Sequence, residues 1–401
     1  MQDKKIAILS KLAPTIVTNA PLLLAVYSAL LKEDLYTDYD MGEYSWRMPS
    51  FLPLALVAMA GIIIVAGGTI RILDAGESCP DWPKCFGKYT FVISEEEQEA
   101  FWEEFPEHED SRGIEHRYTV LEIFSEWIHR LLAAIIAIPV LINFLMVYKM
   151  KEKYGQRVVN TSLAVGILLI LQAAAGAVTV VYDNVDWSVA LHLSMATIFT
   201  ATIVYQYLQM KVIEGSNWSF IQTSKSFLDS SKKRMYGSGI AVFILMILGA
   251  WVSSTAGGNY NQACSIGFPQ GWPACRGSLL PNFQGEPGVI VQMVHRFGAV
   301  IVGALLVINA NKMRLKVSEF GVSKAWANIL DFVTGFWILN VAVGGSYIIF
   351  ANDGDFPEWL SLLHLVIGVS AAITGLLGIM FHKIASDALA ITGVSEVQED
   401  E

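Results

Sequence analysis

Eight stretches of this chain, each longer than about 20 residues, are nearly free of charge. They lie near 51–73, 120–148, 158–182, 187–210, 237–257, 289–311, 326–350 and 358–381. Runs of this length match the hydrocarbon thickness of a bilayer. There the backbone finds no water to bond, and a helix satisfies its own N–H and C=O groups. The runs are too long for barrel strands, so an all-α integral membrane protein is predicted. Composition agrees, with 54% of the 401 residues apolar and 16% charged. A ninth run, "LAPTIVTNAPLLLAVYSALL" at 12–31, reads as an extra N-terminal span, with a surface-lying or re-entrant segment as the alternative. The net charge of −10 argues against nucleic acid as a partner.

Orientation follows from the Lys and Arg content of the short loops. Lys149, Lys151, Lys153 and Arg157 follow the second run; Lys211, Lys225, Lys232, Lys233 and Arg234 follow the fourth; Lys312, Arg314, Lys316 and Lys324 follow the sixth. Between them, 183–187 and 351–357 contain no basic residue, and 258–288 contains only Arg276. The basic loops are therefore expected in the cytoplasm, and the loops at 74–119 and 258–288 outside a cell membrane.

The chain repeats itself. "EWIHRLLAAIIA" parallels "QMVHRFGAVIVG", "ILQAAAGAVTVVYDN" parallels "ILNVAVGGSYIIFAND", and "ALHLSMA" parallels "LLHLVIG". Each copy also places two cysteines in the loop after its first helix, "CPDWPKC" and "CSIGFPQGWPAC". A unit of four spans returns the chain to its starting side, so the copies are expected as two parallel, pseudo-symmetric four-helix bundles. The predicted organisation is an extension (1–50), a first half (51–210), a linker (211–236), a second half (237–383) and an acidic tail (384–401).

His129, His192, His295 and His364 sit on the second and fourth helix of each half, at similar depth. A lone intramembrane histidine is usually a packing residue, but two matched pairs are not explained that way, because ionisable groups in a bilayer are costly. Two imidazoles facing each other at one level suit a haem iron held from both sides. Zinc or copper is the alternative, although two imidazoles alone make a poor closed site. Glu126 precedes His129 by three residues and shares its helix face. The second half has Gln292 there, which cannot accept a proton, so one half looks equipped for chemistry and the other for holding a cofactor. The bland reading of Glu126 is a carboxylate paired with an arginine. Arg130 and Arg296 are candidate contacts to haem propionates, with snorkelling to the interface as the competing account. His108, His116 and His382, in loops or at a span end, are expected to be solvated.

All four cysteines fall in the loops assigned to the outer, oxidising side, which predicts the disulfides Cys79–Cys85 and Cys264–Cys275. A structural staple and a redox part in a reaction both remain open for them.

With Glu-x-x-His-Arg, the paired cysteines, "ALHL", "VHR", "LLHL" and the duplication, residues 51–381 resemble the haem A synthase family. That resemblance implies an oxidoreductase converting the C8 methyl group of haem O to a formyl group by successive hydroxylations, with haem A as product. By position, it implies that His129 and His192 hold the substrate haem O, that His295 and His364 hold a permanent haem b, and that Glu126 is the essential acid. It further implies a haem O synthase and terminal oxidase assembly as partners, and a homo-oligomer is a further candidate. The chain departs from the pattern in three places: a first cysteine loop that encloses only five residues, the N-terminal extension, and an acidic insertion at 95–110. The insertion is expected as a solvated acidic helix or a docking site for a basic partner or metal ions. Competing functions are a di-haem, quinol-linked cytochrome b and a haem transporter.

Overall fold

The computed structural model describes residues 48–392 apart from 109–112, 114, 183, 254–262, 283–285 and 353–355. The span expected at 12–31, the last two residues of the acidic insertion and the tail from 393 onward lie outside the described residues. The helices are α1 (Phe51–Ile72), α2 (Glu95–Glu104), α3 (Val120–Ile135), α4 (Ala137–Lys149), α5 (Lys151–Val181), α6 (Asp186–Ile213), α7 (Lys225–Val252), α8 (Pro287–Phe320), α9 (Ala325–Ile349) and α10 (Glu358–Thr392). With α3 and α4 counted as one segment, eight are long and apolar enough to cross a membrane. Their outward faces are apolar: Ile138, Leu141, Ile170, Val300 and Ile301 are all more than half exposed. Facing water, so much apolar surface would drive aggregation; facing acyl chains, it costs nothing.

Packing closes two rings. In one, α1, the α3–α4 segment, α5 and α6 contact each other in turn; in the other, α7, α8, α9 and α10 do. The rings meet where α6 packs on α7 and α10, and where α1 packs on α10. Between apolar helices in lipid the hydrophobic effect offers no drive, so buried polar pairs help set the register. Asn143 on α4 donates to Ser162 Oγ on α5 at 3.1 Å and to Gln206 Oε1 on α6 at 3.0 Å. Asn309 on α8 donates to Ser238 Oγ on α7 at 3.0 Å. Each asparagine stands at the same offset from its histidine (129 to 143, 295 to 309). Such bonds contribute on the order of 1 kcal/mol apiece.

Local sequence explains where the site-bearing helix begins and breaks. Thr119 accepts from the Glu122 N–H while the Glu122 carboxylate accepts from the Thr119 N–H, a reciprocal cap that fixes the first turn of α3. The helix is interrupted at Ile136. Pro139 has no N–H to give the Ile135 carbonyl, and that missing bond falls at the interruption. Within the first turns of α5 the helix is kinked at Gly155, whose φ of 76° glycine adopts without strain.

Several helices outlast the apolar runs. α7 begins at Lys225 and α6 ends at Ile213, so the linker expected at 211–236 reduces to a short connection with one 3-10 turn, Ser219–Ile221. α10 continues to Thr392, into the segment expected as tail. Hydropathy marks the hydrocarbon slab rather than the helix end, and good helix formers carry the backbone on beyond it. At this basic end the rings share an aromatic core in which Phe220 stacks on Phe381 with centroids 3.8 Å apart, beside Trp326. His382 belongs to that core. It is buried, its Nε2 lies 2.9 Å from the Leu228 carbonyl, and it is not the solvated residue that the sequence suggests. His108 and His116 are half-buried as well, against Phe101 and Tyr118.

At the opposite end the acidic insertion folds as α2, capped reciprocally by Ser94 and Glu97. Its glutamates face outward, while Phe101 and Trp102 pack on Cys79, Cys85, Phe86 and Ile93. Gln98 bonds the Tyr118 backbone in both directions, giving at 3.0 Å and accepting at 2.9 Å. The helix is acidic on one face only; the other is part of the cover over this end.

Candidate functional site

Both predicted disulfides are formed, Cys79–Cys85 and Cys264–Cys275. Each loop leaves its second cysteine through the same two-residue turn. Cys85 and Lys88 exchange backbone bonds of 2.8 and 3.0 Å across Phe86-Gly87, and Cys275 and Ser278 do so at 2.9 and 3.1 Å across Arg276-Gly277. All four central residues have φ between 51° and 78°, a hairpin geometry that asks for the glycine. The internal repeat therefore extends into the loops, where "CFGK" and "CRGS" are its signature.

Beneath the first loop lies a cavity of about 500 Å³, within the range of ligand sites. Its lining brings together Glu126, His129, Arg130, Gln172 and His192, with Trp82 and Tyr89 contributed by the loop region. The two histidines that the sequence separates by a whole helix thus address one space.

Every one of the four imidazoles rests on a glycine of a neighbouring helix. A Cβ at Gly67 would stand 2.9 Å from His129 Cε1, and at Gly176 3.0 Å from His192 Cε1. In the second ring the distances are 3.0 Å for Gly249 against His295 and 2.7 Å for Gly344 against His364. The missing side chains are what allow the Cε1 edge of each ring to come this close to the adjacent backbone. His295 and His364 have ring centroids 6.4 Å apart at an interplanar angle of 86°. Two metal–nitrogen bonds of about 2 Å each, plus the reach from ring centre to nitrogen on either side, come to about that separation.

The second nitrogen of each ring decides its tautomer. His364 Nδ1 donates to the Asn340 carbonyl at 3.0 Å, which leaves the Nε2 lone pair for a metal. Gln172 places its side-chain amide 3.2 Å from His192 Nδ1. A half-turn of that amide would give its otherwise partnerless Oε1 a donor. Nδ1 of His129 and of His295 is buried with no partner. Among the described residues no group of three or more His, Cys, Asp or Glu side chains comes together, so each pair offers a metal two imidazoles and no closed set.

Glu126 and Gln292 are both buried, at 7% and 4% exposure. The carboxylate forms an ion pair with Arg130, whose Nε gives to Glu126 Oε1 at 2.8 Å. The bland expectation for Glu126 is therefore present in the structure, and it coexists with a place on the cavity wall. Arg130 spends its terminal nitrogens on the first disulfide loop: Nη1 gives to the carbonyls of Asp81 (2.5 Å) and Lys84 (2.6 Å), and Nη2 to that of Cys79 (2.8 Å). Arg296 does the same for the second loop through the carbonyls of Gly271 (2.7 Å) and Ala274 (2.6 Å). Both arginines, expected from the sequence as propionate contacts or interfacial cations, are clamps on the loops in this structure. A guanidinium is suited to this, since its fixed fork reaches several acceptors at once.

The two rings differ in how they are sealed. Trp337 on α9 lies across Gly303 on α8, where a Cβ would stand 2.0 Å from its ring, and its Nε1 gives to the Ala299 carbonyl at 3.0 Å. This indole fills the seam between α8 and α9.

Comparison with known proteins agrees in extent with the repeat. The family COX15-CtaA, described as cytochrome oxidase assembly protein, matches residues 51–378. A protein of Shewanella oneidensis named heme A synthase is 25% identical over 78% of this chain and 88% of its own length. Proteins of the same name from Chelativorans sp. and Exiguobacterium sibiricum are 29% and 25% identical, over 63% and 76% of this chain and 70% and 84% of their own.

Proposed function

The chain belongs to the COX15-CtaA family of cytochrome oxidase assembly proteins, and from that premise we propose that it is a haem A synthase, an oxidoreductase that converts the C8 methyl group of haem O to a formyl group within the membrane. The observation that carries this reading is the cavity lined by His129, His192 and Glu126 together. We assign the substrate haem O to that cavity, between His129 and His192, and a resident haem b to His295 and His364, so that residues 51–213 and 225–392 act as a substrate half and an electron-relay half. The 6.4 Å spacing of His295 and His364, the glycine cradles and the Nδ1 bond of His364 fit such groups.

When bound, haem b supplies one-electron chemistry, with its potential set by the two imidazoles and their surroundings. The rest falls to side chains. Gly67 and Gly176 leave room for the two substrate-side imidazoles to pack against the neighbouring helices. Oxidising a ring methyl group develops positive charge on its carbon, and a carboxylate in a water-poor cavity is where that charge is stabilised best. Glu126 supplies it and accepts the proton of the oxygen nucleophile. Arg130 engages one carboxylate oxygen, Oε1, and so fixes the acid's direction. Gln292, at the matching place, has no acid to offer, which suits a half that carries electrons and leaves carbon alone. We place the Cys-bearing loops on the outer side of the cell membrane, in keeping with the basic opposite face.

Expression with a source of haem O, followed by pigment extraction, tests the reading. A haem A or hydroxymethyl-haem product is expected. Haem b alone, accompanied by rapid quinol oxidation, would instead indicate the electron-transfer cytochrome. His295→Ala is expected to abolish the haem b spectrum while haem O still binds; the reverse pattern would invert the halves.

A further inference from the structure

We infer that Arg71 binds the propionate carboxylates of the haem substrate, an assignment that rests on the proposed function and extends it to a recognition residue. α1 brings two residues to the cavity from one face. Gly67 yields its side-chain space to the His129 imidazole. Arg71, four residues later on the same side of the helix, lines the same cavity about 6 Å closer to the disulfide loops. A macrocycle whose iron sits at the level of His129 would reach that height with its carboxylate arms.

The guanidinium is only partly used. One terminal nitrogen, Nη2, gives to the Ser253 carbonyl at the end of α7. The other, Nη1, is 3.9 Å from Asp74 Oδ1, beyond hydrogen-bond distance. Nε is buried and has no partner. Asp74 lies within ion-pair range of the guanidinium and Glu77 is also close enough to act on it, but neither supplies an acceptor to Nε. A buried donor left without an acceptor is expensive, and a planar carboxylate is the ligand whose geometry answers it. Arg130, the cation next to His129 in sequence, has Nε and both terminal nitrogens committed to Glu126 and the first loop. In the second ring the position equivalent to Arg71 by offset from the cradle glycine (67 to 71, 249 to 253) is Ser253, which carries no charge. At that position the second ring therefore has no counterpart of Arg71. Arg71 selects a free diacid porphyrin over an esterified or uncharged one.

The test is a titration of the full-length protein in lipid nanodiscs with ferric haem O and with its dimethyl ester. Binding is followed by Soret absorbance, with His129→Ala marking the part of the signal that belongs to this cavity. Wild type is expected to bind the diacid about tenfold or more tighter than the diester. Arg71→Gln is expected to bring the diacid down to the level of the diester and to leave the diester unchanged, with Arg71→Lys in between. Equal binding of the two ligands by wild type would overturn the inference with no variant needed. So would an Arg71→Gln protein that binds the diacid normally, or one that loses both ligands equally, which marks a purely structural arginine. If wild type binds no haem O, the inference and the synthase reading fall together. Binding that depends on Arg71 without any oxidised product would keep the inference and remove only the synthase reading.

Discussion

The imidazole of His364 lies so close over Gly344 that a Cβ there would stand 2.7 Å from its Cε1 and 2.9 Å from its Nδ1. The same Nδ1 holds the Asn340 carbonyl, one turn away on the same helix. Position and tautomer of this ring are thus both set by α9.

Gly344→Ala is expected to push His364 off that carbonyl and so to weaken or lose the haem b absorbance of the purified protein, with membrane insertion retained. Gly67→Ala, at 2.9 Å from His129, should instead spare that absorbance and lower haem O conversion by about 10- to 100-fold, the usual cost of a sub-ångström to ångström misplacement. Spectra and pigment extracts of the two variants check the contrast; identical phenotypes would remove the division of labour between the rings.

Glu126→Gln copies the second half into the first. Haem O binding is expected to survive, while product formation falls by about 10²-fold or more, the range for loss of a general base or of charge stabilisation. Comparing Soret titration with single-turnover product yield separates binding from chemistry. Normal turnover would take Glu126 out of the reaction.

Arg296→Leu removes the bonds to the carbonyls of Gly271 and Ala274. Charge-assisted bonds of this kind contribute roughly 1.5–3 kcal/mol each, so amides of the Cys264–Cys275 loop are expected to exchange at least about tenfold faster. Hydrogen exchange should show the change in that loop and leave the Cys79–Cys85 loop unaffected.

The acidic helix α2 carries a pH dependence of definite sign. The Glu97 carboxyl is held below its ordinary 4.5 by the hydrogen bond from Lys88 and by that from the Ser94 backbone. Glu96 is held low by its bond to Ser94. A carboxylate depressed in the folded state stabilises it fully above the ordinary value, and the contribution disappears as pH falls through the lowered one. Exchange protection of α2 is therefore expected to be flat from pH 5 to 8 and to decline below 4.5. Both groups are fully exposed, so the decline should be modest and weaker at high salt.

Much of this arrangement is legible in the order of the residues. The spans announce themselves because a bilayer demands long apolar helices, and the histidines because charge-bearing side chains are rare within them. The disulfide pairing follows from where the cysteines sit. Other features are written in three dimensions. A glycine cradle is invisible until two helices meet, although the repetition of Gly176 and Gly344 before their histidines is a clue. The matching of Asn143 with Asn309 can be read from their shared offset. Arg71 looks like any cation at a span end, and only the cavity shows what it faces. His382 misleads for the opposite reason: it follows an apolar run, but the helix goes on, and α7 and α9 close over it.

Arg130 has one further consequence. The nitrogen that steers the Glu126 carboxylate belongs to the same rigid fork that grips Cys79, Asp81 and Lys84. Loop and carboxylate therefore share one guanidinium, and a chain in which the Cys79–Cys85 bridge stays open is expected to hold the Glu126 side chain less firmly in direction.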